Sequence, residues 1–204
     1  MKKIVIAPHI DDDVLGCGGI IDSDTLTLYC GVDEFHIISK EDRLKEADAV
    51  RDFYKNKYIL LDNTKVNDYK VKDLIDEFQK VINKHMPEEV YIPYPSYNQD
   101  HRIVYEAALI ALRPHDNNHF VNKVLVYEQP HVFLWNNTHN INGEFKPNYF
   151  KSIDVDSKIA AYELMESQVR EFRGIEDIRA LAKLRGTQSN YQSAEAFQVV
   201  RCVE

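Results

Sequence analysis

Two short segments of the chain bring together side chains that are typical ligands of a divalent metal ion. In the first segment, His9 is followed by Asp11, Asp12 and Asp13, so one imidazole stands beside three carboxylates. Adjacent carboxylates repel one another and resist ionisation when buried, unless a positive charge lies close to them. A divalent cation supplies that charge, and an imidazole with a carboxylate suits Zn²⁺. The alternative interpretation is an acidic loop exposed to solvent.

The second segment contains Asn98, Asp100 and His101 at the predicted start of a helix. Taken alone, it favours an ordinary helix N-terminus, because Asn and Asp are common capping residues. Its interpretation as part of a metal site therefore depends on where the fold places it relative to the first segment.

The elements around these segments alternate between strands and helices. Apolar runs predict strands at residues 4–7, 26–30, 58–61, 90–94 and 124–127, and helical patterns cover 39–54, 71–84 and 101–112. This alternation predicts an α/β fold with a Rossmann-like, doubly wound and mainly parallel sheet in three α/β/α layers. Such sheets bind ligands at the carboxyl ends of their strands. Both polar segments follow a predicted strand, so we expect them to meet at one edge of the sheet.

The rest of the chain carries weaker patterns. We expect a long loop over residues 131–150, a helix over 154–185 with a break near Gly174, and a last strand over 198–203. There is no repeat or linker, so the expectation is a single domain spanning residues 1–204.

Composition excludes several classes of function. The net charge is −8, with 25 Lys and Arg against 33 Asp and Glu, which argues against binding a nucleic-acid backbone. Three cysteines without a Cys-x-x-Cys pair predict neither a disulfide framework nor a thiolate zinc site. We find no apolar stretch long enough for a membrane span and no signal peptide, and we expect a cytoplasmic protein. The dinucleotide fingerprint Gly-x-Gly-x-x-Gly is not matched by Gly16-x-Gly18-Gly19, so a nucleotide-binding module is a distant alternative.

Together the two segments resemble the PIG-L/LmbE-like deacetylases, which cleave N-acetyl groups from amino sugars. That family has a His-Pro-Asp-Asp-Glu-like motif, then Leu-Gly-x-Gly-Gly, and later a His-x-Asp-His-like motif. The corresponding residues here are His-Ile-Asp-Asp-Asp at 9–13, Leu-Gly-Cys-Gly-Gly at 15–19 and Asn-Gln-Asp-His at 98–101. The resemblance continues through residues 43–46, 127–128, 147–150, 158–168, 185–186 and 194–197, so it runs nearly end to end.

The resemblance implies His9, Asp12 and His101 as metal ligands, with Zn²⁺ as the cofactor; Fe²⁺ would suit the same set. It implies Asp11 as the general base that takes a proton from zinc-bound water. It also implies that Arg43 contacts the substrate, although an exposed arginine paired with a nearby glutamate is the alternative.

The chain departs from the family most seriously at Asn98, where many members have a histidine. An asparagine amide can donate a hydrogen bond to an oxyanion but does not transfer a proton in the ordinary way. We therefore expect Asp11 to carry out every proton transfer of the reaction, with Asn98 donating a hydrogen bond to the oxyanion. The replacements of Pro by Ile10 and of Glu by Asp13 are milder.

Two further acids are candidates for supporting roles. We expect Asp100 to bond Asn98 or to orient His101 from outside the coordination sphere, with an ordinary acid of a first helical turn as the alternative. Glu195 is expected to bind substrate by lining the pocket, or to brace an arginine.

These features predict a metal-dependent hydrolase that removes an N-acetyl group from an amino sugar or an amino-sugar conjugate. The alternatives are a deacylase of a non-sugar amide and a metal- or sugar-binding homologue with weakened catalysis. The expected partner is a small molecule rather than a nucleic acid or a membrane, and a homo-oligomeric assembly is left open.

Overall fold

The computed structural model describes residues 1–32, 38–61, 64–115, 118–130 and 145–204. The strands are β1 Lys3–Ala7, β2 Thr25–Tyr29, β3 Lys57–Leu60, β4 Glu89–Pro93, β5 Lys123–Tyr127, β6 Tyr149–Ser152 and β7 Ala194–Cys202. The helices are α1 Asp12–Cys17, α2 Lys40–Tyr54, α3 Val71–His85, α4 Gln99–Ala111, α5 Val155–Glu163 and α6 Ile175–Ser189. Two 3-10 turns, Glu166–Gln168 and Glu171–Arg173, lie between α5 and α6.

The seven strands form one sheet in the order β3-β2-β1-β4-β5-β7-β6. The first five pair in parallel, whereas β7 is antiparallel to both β5 and β6. The predicted α/β fold with a mainly parallel sheet is therefore confirmed. None of the described helices has the length and apolar character needed to cross a bilayer.

Three expectations for the last third of the chain need correction. Strand β6 begins within the last two residues of the predicted loop and extends beyond it to Ser152; residues 131–144 of that loop fall outside the described part of the chain. Strand β7 begins at Ala194, four residues before the predicted start, and the break near Gly174 extends over residues 164–174. Strand β6 escaped prediction because it is a short, half-buried edge strand that, among the described strands, pairs only with β7.

The first strand shows how the layers form. Its residues alternate between faces, so Ile4 and Ile6 pack with Phe78 of α3 and Val104 of α4. Ala7 packs on the opposite face in a cluster that includes residues of α1, α2 and α5. A strand covered on both faces reads as a continuous apolar run, and this arrangement gives the three α/β/α layers.

Glycines bring α1 against the sheet directly after β1. A Cβ atom on Gly16 would lie 2.1 Å from Cδ2 of Tyr127, and one on Gly19 would lie 2.4 Å from Cγ2 of Ile153. Both positions therefore exclude larger side chains for reasons of packing. The helix follows β1 directly and so starts at the carboxyl end of that strand, with Asp12 in its first turn.

Candidate metal centre

The structure brings together the three residues that the resemblance implies as metal ligands. His9 follows β1, Asp12 opens α1 and His101 lies in the first turn of α4. One ligand atom of each residue lies within 4.8 Å of the other two, and all three residues are buried. Nδ1 of His9 lies 3.1 Å from Oδ2 of Asp12, and Nε2 of His101 lies 3.4 Å from the same oxygen.

The hydrogen bonds of His9 call for positive charge between these groups, either as a second proton on the ring or as a bound cation. Its Nε2 donates to Oδ2 of Asp100 at 3.0 Å, because an ionised carboxylate can only accept. In a singly protonated ring, Nδ1 then presents a lone pair to the negatively charged oxygen of Asp12. Either a second proton on the ring or a cation removes that repulsion. Two imidazole nitrogens and one carboxylate are a set that a catalytic zinc uses, with a fourth position left open.

The carboxylate of Asp12 is held in its ionised form. Burial opposes ionisation, but the charges and hydrogen bonds of His101 and His9 outweigh it and hold the pKa of Asp12 well below its usual range. Its Oδ1 accepts a hydrogen bond of 2.5 Å from Nε2 of Gln129, and its Oδ2 accepts one of 2.9 Å from the backbone N–H of His9. Sequence reasoning missed Gln129, whose only signal was its place after a predicted strand.

Asp100 contacts a different histidine from the one expected. Its carboxylate contacts neither His101 nor the Asn98 side chain in the hydrogen bonds of the described residues; it accepts from His9 and from the backbone N–H of Asn67 at 2.9 Å. The reason is geometric, because successive helical residues point about 100° apart, so Asp100 and His101 face different groups. A carboxylate behind a histidine ligand fixes the orientation and tautomer of the ring.

Asn98 is the N-cap of α4. Its side-chain oxygen accepts a hydrogen bond of 2.8 Å from the backbone N–H of Asp100, so the helix-capping interpretation is correct for that oxygen. A role as an oxyanion donor would fall to its amide nitrogen.

The acidic triplet is buried and its members separate, which excludes the solvent-exposed loop. Asp13 is fully buried, and its Oδ2 accepts from Nη2 of Arg51 at 2.8 Å and from the hydroxyl of Tyr29 at 3.1 Å. Asp11 faces another way, with Oδ2 lying 2.8 Å from Nη1 of Arg173. Nothing in the sequence pointed to Arg173, which lies in a short turn far along the chain.

Arg43 is buried rather than exposed. Its Nη1 donates to Oε2 of Glu46 at 3.1 Å and to Oγ of Ser167 at 2.5 Å. Its Nε and Nη2 groups are buried and have no hydrogen-bond partner in the described part of the chain. The alternative interpretation, an exposed arginine paired with a nearby glutamate, was therefore right about the pairing with Glu46 and wrong about the exposure of Arg43.

Glu195 braces a lysine rather than an arginine. Its Oε1 accepts from Nζ of Lys158 at 2.6 Å and from the backbone N–H of Gly19 at 2.8 Å. Arg185 instead pairs with Glu128 through two hydrogen bonds of 2.6 and 2.5 Å. These four charged residues line a small cavity whose lining contains none of the three candidate metal ligands. The structure therefore places Glu195 beside a cavity that the described candidate ligands do not line.

The fold is shared with proteins of known structure. N,N'-diacetylchitobiose deacetylase from Pyrococcus horikoshii matches over 98% of this chain and 84% of its own, with a TM-score of 0.72 and 21% identity. A zinc-inhibited form of teicoplanin deacetylase matches over 98% and 97%, with a TM-score of 0.73 and 16% identity. The 4-carboxy-2-hydroxymuconate hydratase from Pseudomonas putida matches over 100% and 99%, with a TM-score of 0.74 and 21% identity.

No protein-family model and no curated protein sequence matches the chain. At these identities the structural matches establish a common fold, and a hydratase is among the proteins that have it. The reaction must therefore be argued from the site itself.

Proposed function

We propose that the chain is a PIG-L/LmbE-like, metal-dependent N-deacetylase of a single domain, acting in the cytoplasm on an acetylated amino sugar or amino-sugar conjugate. The observation that carries the proposal is the buried cluster of His9, Asp12 and His101 with Asp11 beside it. Two proteins with the same fold are named as deacetylases, one for N,N'-diacetylchitobiose and one for teicoplanin. Their chemistry supports the proposal for this chain.

Zn²⁺ is the proposed metal, and Fe²⁺ suits the same nitrogen and oxygen ligands. A divalent cation held here would supply a Lewis acid that makes water more acidic and polarises an amide carbonyl. Asp100 and Gln129 would orient the ligands His9 and Asp12 through the hydrogen bonds described above.

The remaining steps fall to side chains of the chain. Asp11 accepts the proton of the attacking water and returns it to the leaving amine. The amide nitrogen of Asn98 donates to the carbonyl oxygen as negative charge develops there. The buried Nε and Nη2 groups of Arg43 lack acceptors among the described residues, and a substrate hydroxyl would supply one.

The test is acetate release by metal-reconstituted protein from a panel of N-acetyl amino sugars, their conjugates and simple acetamides. We expect release from at least one sugar compound, and no release by the Asp11→Asn variant, which keeps the three ligands. Acetate release only from non-sugar acetamides would favour the alternative function, a deacylase of a non-sugar amide. Metal binding with no acetate from any compound would contradict the proposal and favour a binding protein or, given the fold, a hydratase.

A further inference from the structure

The adjacent residues Asp11 and Asp12 meet different partners although both are buried at the start of α1. Asp12 faces the two histidines, whereas Asp11 forms an ion pair of 2.8 Å with Arg173. Asp11 is also not a member of the potential metal cluster found among the described residues. Two neighbouring carboxylates are thus divided between a metal site and a guanidinium.

Arg173 is itself held in place by a chain of hydrogen bonds. Its Nη2 donates to Oε1 of Gln168 at 2.5 Å, and Nε2 of Gln168 donates to Oγ of Ser167 at 3.1 Å. Oγ of Ser167 in turn donates to Oε2 of Glu46 on α2 at 2.6 Å. The position of the guanidinium is therefore fixed by both 3-10 turns and by a helix on the same side of the sheet.

We propose that Arg173 is a positioning residue that keeps the carboxylate of Asp11 out of the coordination sphere of the metal. This inference rests on the proposed function. A buried carboxylate without a cationic partner would turn to the nearest positive charge, and the neighbour of a metal ligand has the metal within reach. Coordination by Asp11 would fill the position that a catalytic metal leaves open and would remove the proton acceptor.

A second ion pair in the same segment shows what a purely structural pair looks like. Asp13 of α1 pairs with Arg51 of α2, and the hydroxyls of Tyr29 and Thr27 also bond the Asp13 carboxylate. Asp13 is bonded by residues of the adjacent β2 and α2, whereas Arg173 reaches the Asp11 carboxylate from a 3-10 turn more than 160 residues further along the chain. Removal of Arg173 is therefore expected to redirect Asp11 rather than to unfold the chain.

The experiment uses the full chain loaded with Co²⁺, whose visible absorption spectrum shifts when a carboxylate replaces a water ligand. We expect the Arg173→Gln variant to show such a shifted spectrum. Its kcat for acetate release should fall about 10- to 100-fold while KM stays nearly constant, the range seen when groups around a metal site are removed. Arg173→Lys, which keeps the charge, should recover part of both signals.

Two further variants separate this role from others. In the double variant Asp11→Asn with Arg173→Gln, the Co²⁺ absorption should return towards that of the unaltered chain, because an amide is a poor ligand. Arg179→Gln is the matched control, since Arg179 forms an exposed ion pair with Asp156, and its spectrum should be unchanged.

An unchanged Co²⁺ spectrum in Arg173→Gln, or a changed one that the double variant does not restore, would overturn the inference. A changed spectrum that the double variant restores would support it even if the chain released no acetate from any compound. The spectrum thus distinguishes a failure of the positioning role from a failure of the proposed reaction.

Discussion

At the amino end of the sheet one acid is surrounded by cations, whereas at the carboxyl end acids outnumber them. Glu89 begins β4, and its carboxylate accepts from Nζ of Lys123 at 2.9 Å, from the hydroxyl of Tyr91 at 2.6 Å and from Nζ of Lys151 at 3.4 Å. This amino-end cluster is balanced by its own residues and needs no ligand.

The carboxyl-end cluster is not balanced in this way. Its acids are Asp11, Asp12, Asp13 and Asp100. Arg173 pairs with Asp11, and Arg51 pairs with Asp13. Asp12 and Asp100 are left with the imidazoles of His9 and His101. Burial of these acids is costly without a positive charge on the imidazoles or on a bound cation. The comparison indicates that lysines balance the amino-end cluster, whereas the charge balance of the carboxyl-end cluster depends on the two imidazoles or on a cation between them.

The largest effect is expected from His101→Ala, which removes one of three ligands at the carboxyl end. Acetate release should fall at least about 10³-fold, since the metal supplies several kcal/mol of transition-state stabilisation. Acetate assays and metal analysis of the purified variant measure this loss. The control is His119→Gln, because His119 bonds the carbonyl of Pro87 away from the cluster. Full activity in His101→Ala would place the metal elsewhere.

Metal binding should stabilise the chain only through the carboxyl-end cluster. At about 100 times Kd, Zn²⁺ should raise the free energy of unfolding by about 2.7 kcal/mol. In a chain of this size, that corresponds to a rise in Tm of about 5 to 10 °C in thermal unfolding. Glu89→Gln should show the same rise and Asp12→Asn should show none. Equal rises in both variants would break the distinction between the clusters.

Asp100→Asn sharpens the comparison, because it removes one charge from the acid-rich cluster and keeps the side-chain shape. Metal affinity should fall about 10- to 100-fold, since the carboxylate that orients His9 is lost. The amide oxygen can still accept from the backbone N–H of Asn67, so folding should be preserved. Competition with a chelator measures the affinity. An unchanged affinity would mean that Asp100 has no part in holding the ligand.

The smallest effect is expected at the amino end, where stability depends on pH. Burial opposes ionisation of Glu89, but hydrogen bonds from Tyr91 and Lys123 and the charges of Lys123 and Lys151 lower its pKa to about 2 from an ordinary value of 4.5. A lowered pKa stabilises the folded state when the pH is above the ordinary pKa of 4.5. This stabilisation disappears as the pH falls towards 2.

Glu89→Gln should therefore lower the free energy of unfolding by about 1 kcal/mol at pH 7, allowing for partial exposure. Urea unfolding at several pH values should show this difference shrinking between about pH 5 and pH 2. A difference that stays constant over that range would mean that the lysines do not stabilise the ionised form of Glu89.

The sequence was most informative where a local pattern determines position. A fully apolar strand followed by polar residues places His9 and Asp12 at the carboxyl edge, and the junction of β4 with α4, beside β1 in the sheet, does the same for His101. The convergence of these three residues follows from parallel strand order and needs no knowledge of side-chain contacts.

The partners of these residues could not be predicted in the same way. Arg173 reaches Asp11 from a 3-10 turn that has no periodic pattern. The bond from Asp100 to His9 depends on the direction of one side chain in a helical turn. Such contacts are set by three-dimensional packing between distant segments, and a single sequence carries no local signal for them.

The position of β7 has a consequence for how the sheet assembles. Strand β6 precedes β7 in the chain, yet β7 lies between β6 and β5 in the sheet. Within the described part of the chain, β6 pairs with no other strand. Folding of this part must therefore wait for a late, non-local pairing, which raises the contact order and slows the closing step. Damage to β7 would accordingly cost the sheet two strands at once, so this edge should unfold as one cooperative unit.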